Sequence, residues 1–294
     1  MQFEFGRTSR LGNRRMNQDR IEIIEGSNSA VLVLGDGLGG KPGGELAAQV
    51  LIDTVSNELE LNPLPAENPE AFLRDLLRRA HRNIVVTGQV QTPPVQPGTT
   101  AVICLIQNGK AWWAHAGDSR LYLFRDGVPL YRTTDHSYVE QLYQEGRISL
   151  KKVQKHPMRN YVTQCIGLSS EPEITVSKEV KLKPRDVILL CSDGFWEPLG
   201  DAQMGEPLLQ GPLNQTLNQL SEQAESSSYP QSDNATAVAA RIISLRQIQS
   251  ATKTVHKKKS RSKPQTGDVL DDAIDEIQAA IRAYEYEMKT DKDK

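Results

Sequence analysis

Val31-Leu32-Val33-Leu34-Gly35-Asp36-Gly37 is an apolar run that ends in a carboxylate held between two glycines. Branched aliphatic residues in such a run favour a buried strand, and the glycines allow a tight turn directly after it. A lone carboxylate at the end of a buried strand costs several kcal/mol unless it has a partner. The stretch therefore predicts a core strand and a cation-binding turn at its end.

Three more aspartates stand just after or inside a predicted strand or tight turn. They are Asp19, Asp193 and Asp233. Several converging carboxylates with few cations nearby are the usual ligands of a hard divalent metal. Two adjacent ions on such a set can activate a bridging water and neutralise a phosphoryl group under in-line attack. Arg14, five residues before Asp19, supplies a bidentate guanidinium for that phosphate.

Short strand-like runs dominate the first 245 residues. The predicted strands are residues 20–25, 30–34, 99–107, 110–115, 120–125 and 187–190, and a further apolar run covers 235–244. Asn108-Gly109 and Asp126-Gly127 favour tight hairpins, so the strands that they join pair antiparallel. Helices are predicted at residues 44–59, 69–86, 138–145 and 213–226. This order predicts a layered α+β domain rather than regular βαβ winding.

The remainder of the chain differs in composition, which predicts three segments: a domain at 1–246, a linker at 247–267 and a helix at 268–290. The linker is basic and poor in apolar residues, as flexible segments are. The last segment carries an apolar heptad stripe from Leu270 to Met288. We expect the apolar stripe of this helix, at residues 268–288, to dock onto the preceding domain or a partner.

Composition excludes several classes of protein. The net charge of −2 over 294 residues gives no basic field for nucleic acid or membrane. No run approaches the roughly 18–20 apolar residues of a membrane span, and the N-terminus lacks a signal peptide's pattern. The odd number of cysteines, three, scattered in apolar segments, predicts reduced thiols and a cytoplasmic protein.

The glycine-rich turn at residues 35–42 nearly matches two nucleotide-binding motifs. A dinucleotide fingerprint needs an acidic residue after a second strand, whereas Asp53 falls in a predicted helix and Asp36 would repel the pyrophosphate. A P-loop needs Ser or Thr where this chain has Pro42, which has neither hydroxyl nor amide N–H. A cation is the expected occupant of this turn.

Nine short motifs follow one another across the predicted domain. They are Arg14-x-x-Asn17-Gln18-Asp19; Gly35-Asp36-Gly37-Leu38-Gly39-Gly40 with Gly44-Glu45-Leu46-Ala47; Gly98-Thr99-Thr100; Ala116-Gly117-Asp118-Ser119-Arg120; Thr134-Asp135-His136-Ser137; Glu145-Gly146-Arg147-Ile148; His156-Pro157-Met158-Arg159-Asn160; Ser192-Asp193-Gly194; and Ser232-Asp233-Asn234-Ala235-Thr236. In this order they make residues 6–245 resemble the metal-dependent protein serine/threonine phosphatases of the phosphatase 2C (PPM) family, in the compact form common in bacteria.

The resemblance implies a four-layer α-β-β-α sandwich, in which two antiparallel sheets are flanked by helix pairs and the metals lie at one end. Manganese or magnesium is the implied cofactor, with two ions at the core site and a third beside them. Asp36 would be the bridging ligand, and Asp118 with Asp193 would form the third site. The implied ligands together are Asp19, Asp36, Gly37 through its carbonyl, Asp118, Asp193 and Asp233.

The resemblance also implies the reaction, which is hydrolysis of phosphoserine and phosphothreonine in proteins by a metal-bridging hydroxide. Arg14 would hold the substrate phosphate, and residues 137–165 would form a flap beside the site. The substrates would be phosphoproteins made by a serine/threonine kinase in bacterial signalling. The alternative is a catalytically silent phosphoprotein-binding scaffold on the same fold, a type of protein that generally lacks the metal aspartates.

Three positions depart from the family pattern. Gln18 replaces the usual Glu, Leu38 stands where eukaryotic members carry a His, and Phe195-Trp196-Glu197 is bulkier than the common sequence. Two roles stay open from the sequence. Asp118 fits a turn cap as well as a metal ligand, and Arg159 fits either a flap anchor or a substrate contact.

The chain does not fit the cysteine-dependent phosphatases. Their thiolate mechanism needs Cys, five residues and then Arg. At that offset from its three cysteines this chain has Lys110, Glu171 and Glu197. The spacing excludes that mechanism.

Overall fold

The structure is a computed structural model that describes residues 1–39, 42–153 and 155–245. The predicted linker at 247–267 and the predicted helix at 268–290 lie outside the described residues. No described helix has the length and apolarity needed to cross a membrane.

Strands and helices follow one another along the chain in the predicted order. The strands are β1 (Gln2–Arg10), β2 (Asp19–Glu25), β3 (Ser29–Asp36), β4 (Ala101–Gln107), β5 (Lys110–Ala116), β6 (Arg120–Arg125), β7 (Val128–Arg132), β8 (Thr175–Val176), β9 (Val180–Lys181), β10 (Val187–Cys191) and β11 (Ala235–Ser244). The helices are α1 (Gly44–Leu61), α2 (Pro69–Gln89), α3 (Tyr138–Gln144), α4 (Leu150–Val153), α5 (Asp193–Leu199), α6 (Asp201–Gly205) and α7 (Leu213–Ser228), with a 3₁₀ turn at Pro207–Leu209.

Within the described ranges, the strands form two antiparallel sheets. One has the order β1-β11-β10-β6-β7, and the other has the order β2-β3-β4-β5, with β8 and β9 both paired to β5. The α+β class is confirmed. Each strand that precedes or follows a predicted site residue is hydrogen-bonded along its length to a neighbouring strand. This pairing fixes the position of the residue at its end.

Side-chain alternation along the strands creates the four layers. In β3, Leu32 and Leu34 lie in the core between the sheets, whereas Val31 and Val33 pack with α1 and α2 on the outer face. All four are fully buried. Because successive strand side chains point to opposite faces, a strand with no polar position needs apolar layers on both sides, and β3 has them.

The sheet that contains β6 shows the same alternation of side chains between its two faces. Tyr122 and Phe124 of β6 pack outward with Phe195 of α5 and Leu217 of α7. Leu123, between them in sequence, faces the core shared by the two sheets. The predicted α-β-β-α order of layers is confirmed.

The predicted hairpins are also confirmed. Asn108 and Gly109 have φ of 52° and 75° between β4 and β5, and Asp126 and Gly127 have φ of 51° and 77° between β6 and β7. Two consecutive residues with positive φ make the turn whose twist matches that of paired strands. Gly146, directly after the predicted helix of residues 138–145, has φ of 71°, as is common for a glycine that ends a helix.

Two elements that position the site were absent from the sequence prediction. β1 is polar in composition, and its pairing with β11 makes it a strand. α5 begins at Asp193 and contains Pro198 in only seven residues, too few for a helical period to show. Asp193 therefore starts a helix rather than a simple turn.

Candidate metal centre

Two of the predicted aspartates meet across one strand pair. Asp19 begins β2 and Asp36 ends β3, and the antiparallel register places them directly opposite each other. The backbone N–H of Asp36 donates to the hydroxyl of Thr100 at 3.1 Å, and the N–H of Thr100 donates to the carbonyl of Asp36 at 2.8 Å. The neighbouring strand thus fixes the backbone that carries Asp36.

Asp19 is buried, with 4% of its surface exposed. The hydroxyl of Ser192 donates to its Oδ2 at 2.9 Å, while its Oδ1 is buried with no hydrogen-bond partner. Buried carboxylate oxygens are nearly always paired. An unpartnered carboxylate oxygen beside an acidic cavity fits a cation or its bound water.

Asp193 and Asp233 come from neighbouring strands of the other sheet. Asp193 follows β10 as the first residue of α5, and Asp233 lies two residues before β11. Between them, Ser192 accepts a hydrogen bond on its hydroxyl from the N–H of Thr236 at 3.0 Å. Because β10 and β11 are paired, the two carboxylates reach the same end of the sandwich.

Asp118 lies in the tight connection between β5 and β6. Gly117 before it has φ of 121°, and a Cβ at that position would lie 2.6 Å from Cβ of Thr100. The hydroxyls of Thr100 and Ser119 are 2.7 Å apart. The glycine lets the turn pack against β4, and this brings Asp118 towards Asp36.

Gly37 has no room for a side chain. A Cβ would lie 2.4 Å from the carbonyl carbon of Gly44 at the start of α1. The backbone N–H of Gly37 donates to the carbonyl of Gln18 at 3.2 Å. The glycine therefore allows the helix to approach the turn that follows Asp36.

These elements enclose a cavity of about 960 Å³. Its lining includes the predicted residues Arg14, Asp36, Gly37, Asp118, Asp193 and Asp233. Asp19 lies behind the wall rather than on it. No three His, Cys, Asp or Glu side chains of the described residues form a ready-made metal cage, so any ion here would also need oxygens from water or the backbone, as magnesium usually does.

Burial and mutual repulsion act on four of the aspartates. Burial, opposed by hydrogen bonds from Thr236 and Ser192, raises the pKa of Asp19 to about 7. Burial and the charge of Asp233 raise the pKa of Asp193 to about 6. Burial, then the charges of the other aspartates, raises the pKa values of Asp36 and Asp118 well above the usual range. A divalent cation would relieve this repulsion, so the residues fit a metal.

Arg14 reaches the cavity from the loop before β2. Its Nη2 donates to Oδ2 of Asp233 at 2.5 Å, and about half of the arginine side chain is exposed. The predicted phosphate-binding residue therefore contacts a predicted metal ligand. The guanidinium stays accessible from the cavity.

Gln18, which stands where the family usually has Glu, makes a contact that the sequence did not reveal. The Gln18 amide Nε2 donates to Oε2 of Glu45 in the first turn of α1 at 3.2 Å. Both residues line the cavity. Gln18 therefore orients Glu45, a carboxylate that belonged to a recognised motif but had been given no role.

Asn234 is a second residue without a predicted role. Its Oδ1 accepts from the N–H of Gln18, and its amide donates to the carbonyls of Leu11 and Met16. It thus ties the loop that carries Arg14 to the segment that carries Asp233. Only its place in a recognised motif pointed to it.

Two histidines accept hydrogen bonds from the backbone of loops. The Nδ1 atoms of His136 and His156 accept from the N–H groups of Gly117 and Met158 at 3.3 and 3.1 Å. Burial lowers the pKa of His136 to about 4, and the charge of His115, whose ring lies 4.5 Å away, lowers it further. The ring of His136 is therefore neutral at pH 7 and acts as a structural hydrogen-bond acceptor.

The flap segment at residues 137–165 contacts α5. Nε of Arg159 donates to Oε1 of Glu197 at 3.2 Å, so in this structure Arg159 anchors the flap. The three cysteines are buried and lie outside any disulfide. Burial raises the thiol pKa values of Cys104 and Cys191 far above the usual range, which leaves neither of them as a thiolate nucleophile.

Comparison with known proteins gives one consistent family. A family model described as "Protein phosphatase 2C" matches residues 7–232. The serine/threonine phosphatase stp of Listeria monocytogenes is 29% identical over 246 residues, which cover 81% of this chain and 94% of that protein.

Solved structures of bacterial serine/threonine phosphatases are also similar to this chain. The serine/threonine phosphatase Stp1 from Staphylococcus aureus has a TM-score of 0.75 at 27% identity, covering 83% of this chain and 96% of that one. The catalytic domain of the serine/threonine protein phosphatase PstP, solved with two manganese ions, has a TM-score of 0.68 at 28% identity, covering 82% and 99%.

Proposed function

Since this chain belongs to the protein phosphatase 2C family and is a metal-dependent protein serine/threonine phosphatase, we propose that the aspartate-lined cavity is where it hydrolyses phosphoserine and phosphothreonine. The observation that supports this site is the convergence of Asp36, Asp118, Asp193 and Asp233 on one cavity. A structural role does not explain that convergence, because like charges brought together in a largely buried cavity repel one another and destabilise the fold.

We assign the ligands as follows. Asp36 is the bridging ligand, with the carbonyl of Gly37 beside it, and Asp193 and Asp233 complete one ion's site. Asp19 serves the second site from behind the wall through its unpaired Oδ1. Manganese is the first choice, since the PstP neighbour was solved with two manganese ions, and magnesium is the alternative. A third ion would use Asp118 with Asp193.

The bound ions supply an activated water and neutralise the charge on the phosphoryl group. The residues of the chain bind the substrate phosphate and hold the loops around the site. Arg14 exchanges its contact with Asp233 for the substrate phosphate, which a guanidinium binds through two parallel hydrogen bonds. Gln18 and Asn234 hold the surrounding loops. Leu38, which lines the cavity, has no proton to give to the leaving alkoxide, so that proton has to come from water or from another group.

Manganese-dependent hydrolysis of p-nitrophenyl phosphate and of a phosphothreonine peptide tests the site. Asp36→Asn and Asp193→Asn should each lose activity, while Asp53→Asn on the exposed face of α1 should keep it. Full activity in either of the first two variants would show that the mechanism is wrong.

The alternative is a silent phosphoprotein-binding scaffold, and metal binding separates it from an enzyme. Calorimetric titration with manganese should show binding to the wild type and weaker binding to Asp36→Asn. A scaffold would bind little metal in both and hydrolyse neither substrate.

The substrates we propose are proteins phosphorylated by a serine/threonine kinase. Buried cysteines outside any disulfide suit a reducing compartment, and a cytoplasmic location is part of the proposal. We further propose that the predicted helix at 268–288 docks onto the catalytic domain or a partner. Truncation after Leu245 should then change activity, solution mass or partner recovery, and no change in all three would contradict it.

A further inference from the structure

A second cavity lies beside the metal cavity, between the flap and α5. Its volume is about 390 Å³, within the range of about 300–1,000 Å³ that ligand pockets occupy. It shares Asp118, Asn160 and Asp193 with the lining of the metal cavity. A molecule bound at the metals therefore has this pocket immediately to one side.

The pocket has an apolar wall contributed by both sides. These residues are Val139 and Tyr143 of α3, Leu150 and Val153 of α4, and Trp196 of α5. Leu150 is 63% exposed and Tyr143 is 40% exposed. Large apolar side chains that stay exposed around a concave surface are typical of binding sites.

Most charged residues of the lining are already neutralised by a neighbour. The pairs are Arg120 with Asp135 at 2.7 Å, Arg159 with Glu197 at 3.2 Å and Arg132 with Asp201 at 3.3 Å. Glu140 and Lys151, which have opposite signs, also line the pocket. A charged occupant would lose its hydration in a pocket where most charges already have a partner, whereas an apolar occupant leaves every pair intact. The pocket thus favours an uncharged, apolar group.

Trp196 makes the inner wall rigid. Its indole Nε1–H donates to the backbone carbonyl of Asp118 at 3.1 Å, and the guanidinium carbon of Arg120 lies 3.3 Å from the centre of its ring. Arg120 is in turn held by both carboxylate oxygens of Asp135. A preformed wall costs less ordering on binding than a mobile one.

We propose that this pocket receives an apolar side chain of the phosphoprotein substrate, from a residue close in sequence to the phosphorylated one. The proposal rests on the proposed function. An extended peptide advances about 3.3 Å per residue, so with its phosphate at Asp36 and Arg14 its neighbouring residues reach a pocket that begins at Asp118 and Asp193. The pocket then makes the enzyme prefer phosphorylation sites with a nearby aliphatic or aromatic residue.

The test is a set of phosphothreonine peptides with alanine flanks, in which one position at a time is changed to Leu, Phe or Lys. With manganese, wild type should show roughly tenfold higher kcat/KM for Leu or Phe over Ala at one position, the scale expected for filling an apolar pocket. Leu150→Lys and Val153→Lys should abolish that preference. Hydrolysis of p-nitrophenyl phosphate, which has no flanking residue, should not change.

Leu130→Lys is the matched control, since Leu130 is an exposed leucine of β7 outside the pocket, and it should keep the preference. An active wild type with no apolar preference at any position would overturn the pocket alone, as would a preference that survives in both pocket variants. A wild type that hydrolyses none of the peptides would instead overturn the proposed function and the pocket with it.

Discussion

Nη2 of Arg14 donates to Oδ2 of Asp233 at 2.5 Å, although the two residues are 219 positions apart in the chain. The contact joins the residue proposed to bind phosphate to one proposed to bind metal. A carboxylate that ligates a cation has less charge to offer a guanidinium. Metal loading should therefore release Arg14 towards the substrate.

Arg14→Lys should lower kcat/KM for a phosphothreonine peptide by roughly tenfold, mainly through a higher KM. A lysine cannot make the two parallel hydrogen bonds that a guanidinium makes to phosphate. Steady-state kinetics at saturating manganese measures this. Arg78→Lys, on the exposed surface of α2 and paired with Glu171, is the control and should match wild type. Unchanged KM in Arg14→Lys would contradict the role.

Asp36→Asn should lower kcat by about 100-fold or more, the scale of removing one preorganised electrostatic group. The variant should be at least as stable as wild type in a chelator, because burial and four like charges disfavour the ionised Asp36 carboxylate. Urea unfolding with and without manganese measures this effect.

Wild type should gain stability from manganese, by about 2.7 kcal/mol at a metal concentration 100 times Kd, and Asp36→Asn should gain much less. Asp53→Asn should behave as wild type in both conditions. An equal manganese effect in wild type and Asp36→Asn would show that the ion binds elsewhere.

Asp135→Asn should reduce the free energy of unfolding by about 3–5 kcal/mol, as breaking a buried ion pair usually does. Asp135 binds Arg120 through two hydrogen bonds of 2.8 and 2.7 Å, with both side chains at most 10% exposed. Urea denaturation measures the loss. Glu145→Gln, which breaks the exposed pair with Arg147, should change stability by less than about 1 kcal/mol.

His81 should make the free energy of unfolding depend on pH. Burial lowers its pKa below the usual 6.5, and its Nδ1 accepts from the N–H of Gly167 at 3.1 Å. Below pH 6.5 the unfolded chain binds a proton that the folded chain does not, so stability falls as the pH drops. His81→Asn keeps an acceptor and cannot titrate.

Unfolding in urea at pH 7 and pH 5 should therefore show a smaller loss of stability on acidification for His81→Asn than for wild type. The histidines at 115 and 136 remain in both proteins and cancel in the comparison. Equal losses in the two proteins would show that His81 is not one of the acid-sensitive groups.

Local sequence predicted the elements whose signal is local. The aliphatic run of β3, the hairpin residues Asn108-Gly109 and the periodicity of α1 each need only their neighbours to be interpreted. β1 and α5 were missed for the opposite reason. β1 is a strand because it pairs with β11, which lies more than 220 residues later in the sequence. α5 is too short to show a helical period.

The sequence alone predicted Asp19, Asp36, Asp193 and Asp233 as members of an acidic site, because a carboxylate at a buried strand or tight turn needs a cation wherever that segment lies; Asp118 came from the family resemblance. It also determined the family, through motifs in a fixed order. Only the tertiary structure decided that Asp19 lies behind the cavity wall, that Gln18 binds Glu45 and that Trp196 closes a second pocket under the flap. These contacts join separate sheets and loops, and their geometry depends on how the layers pack rather than on any single segment.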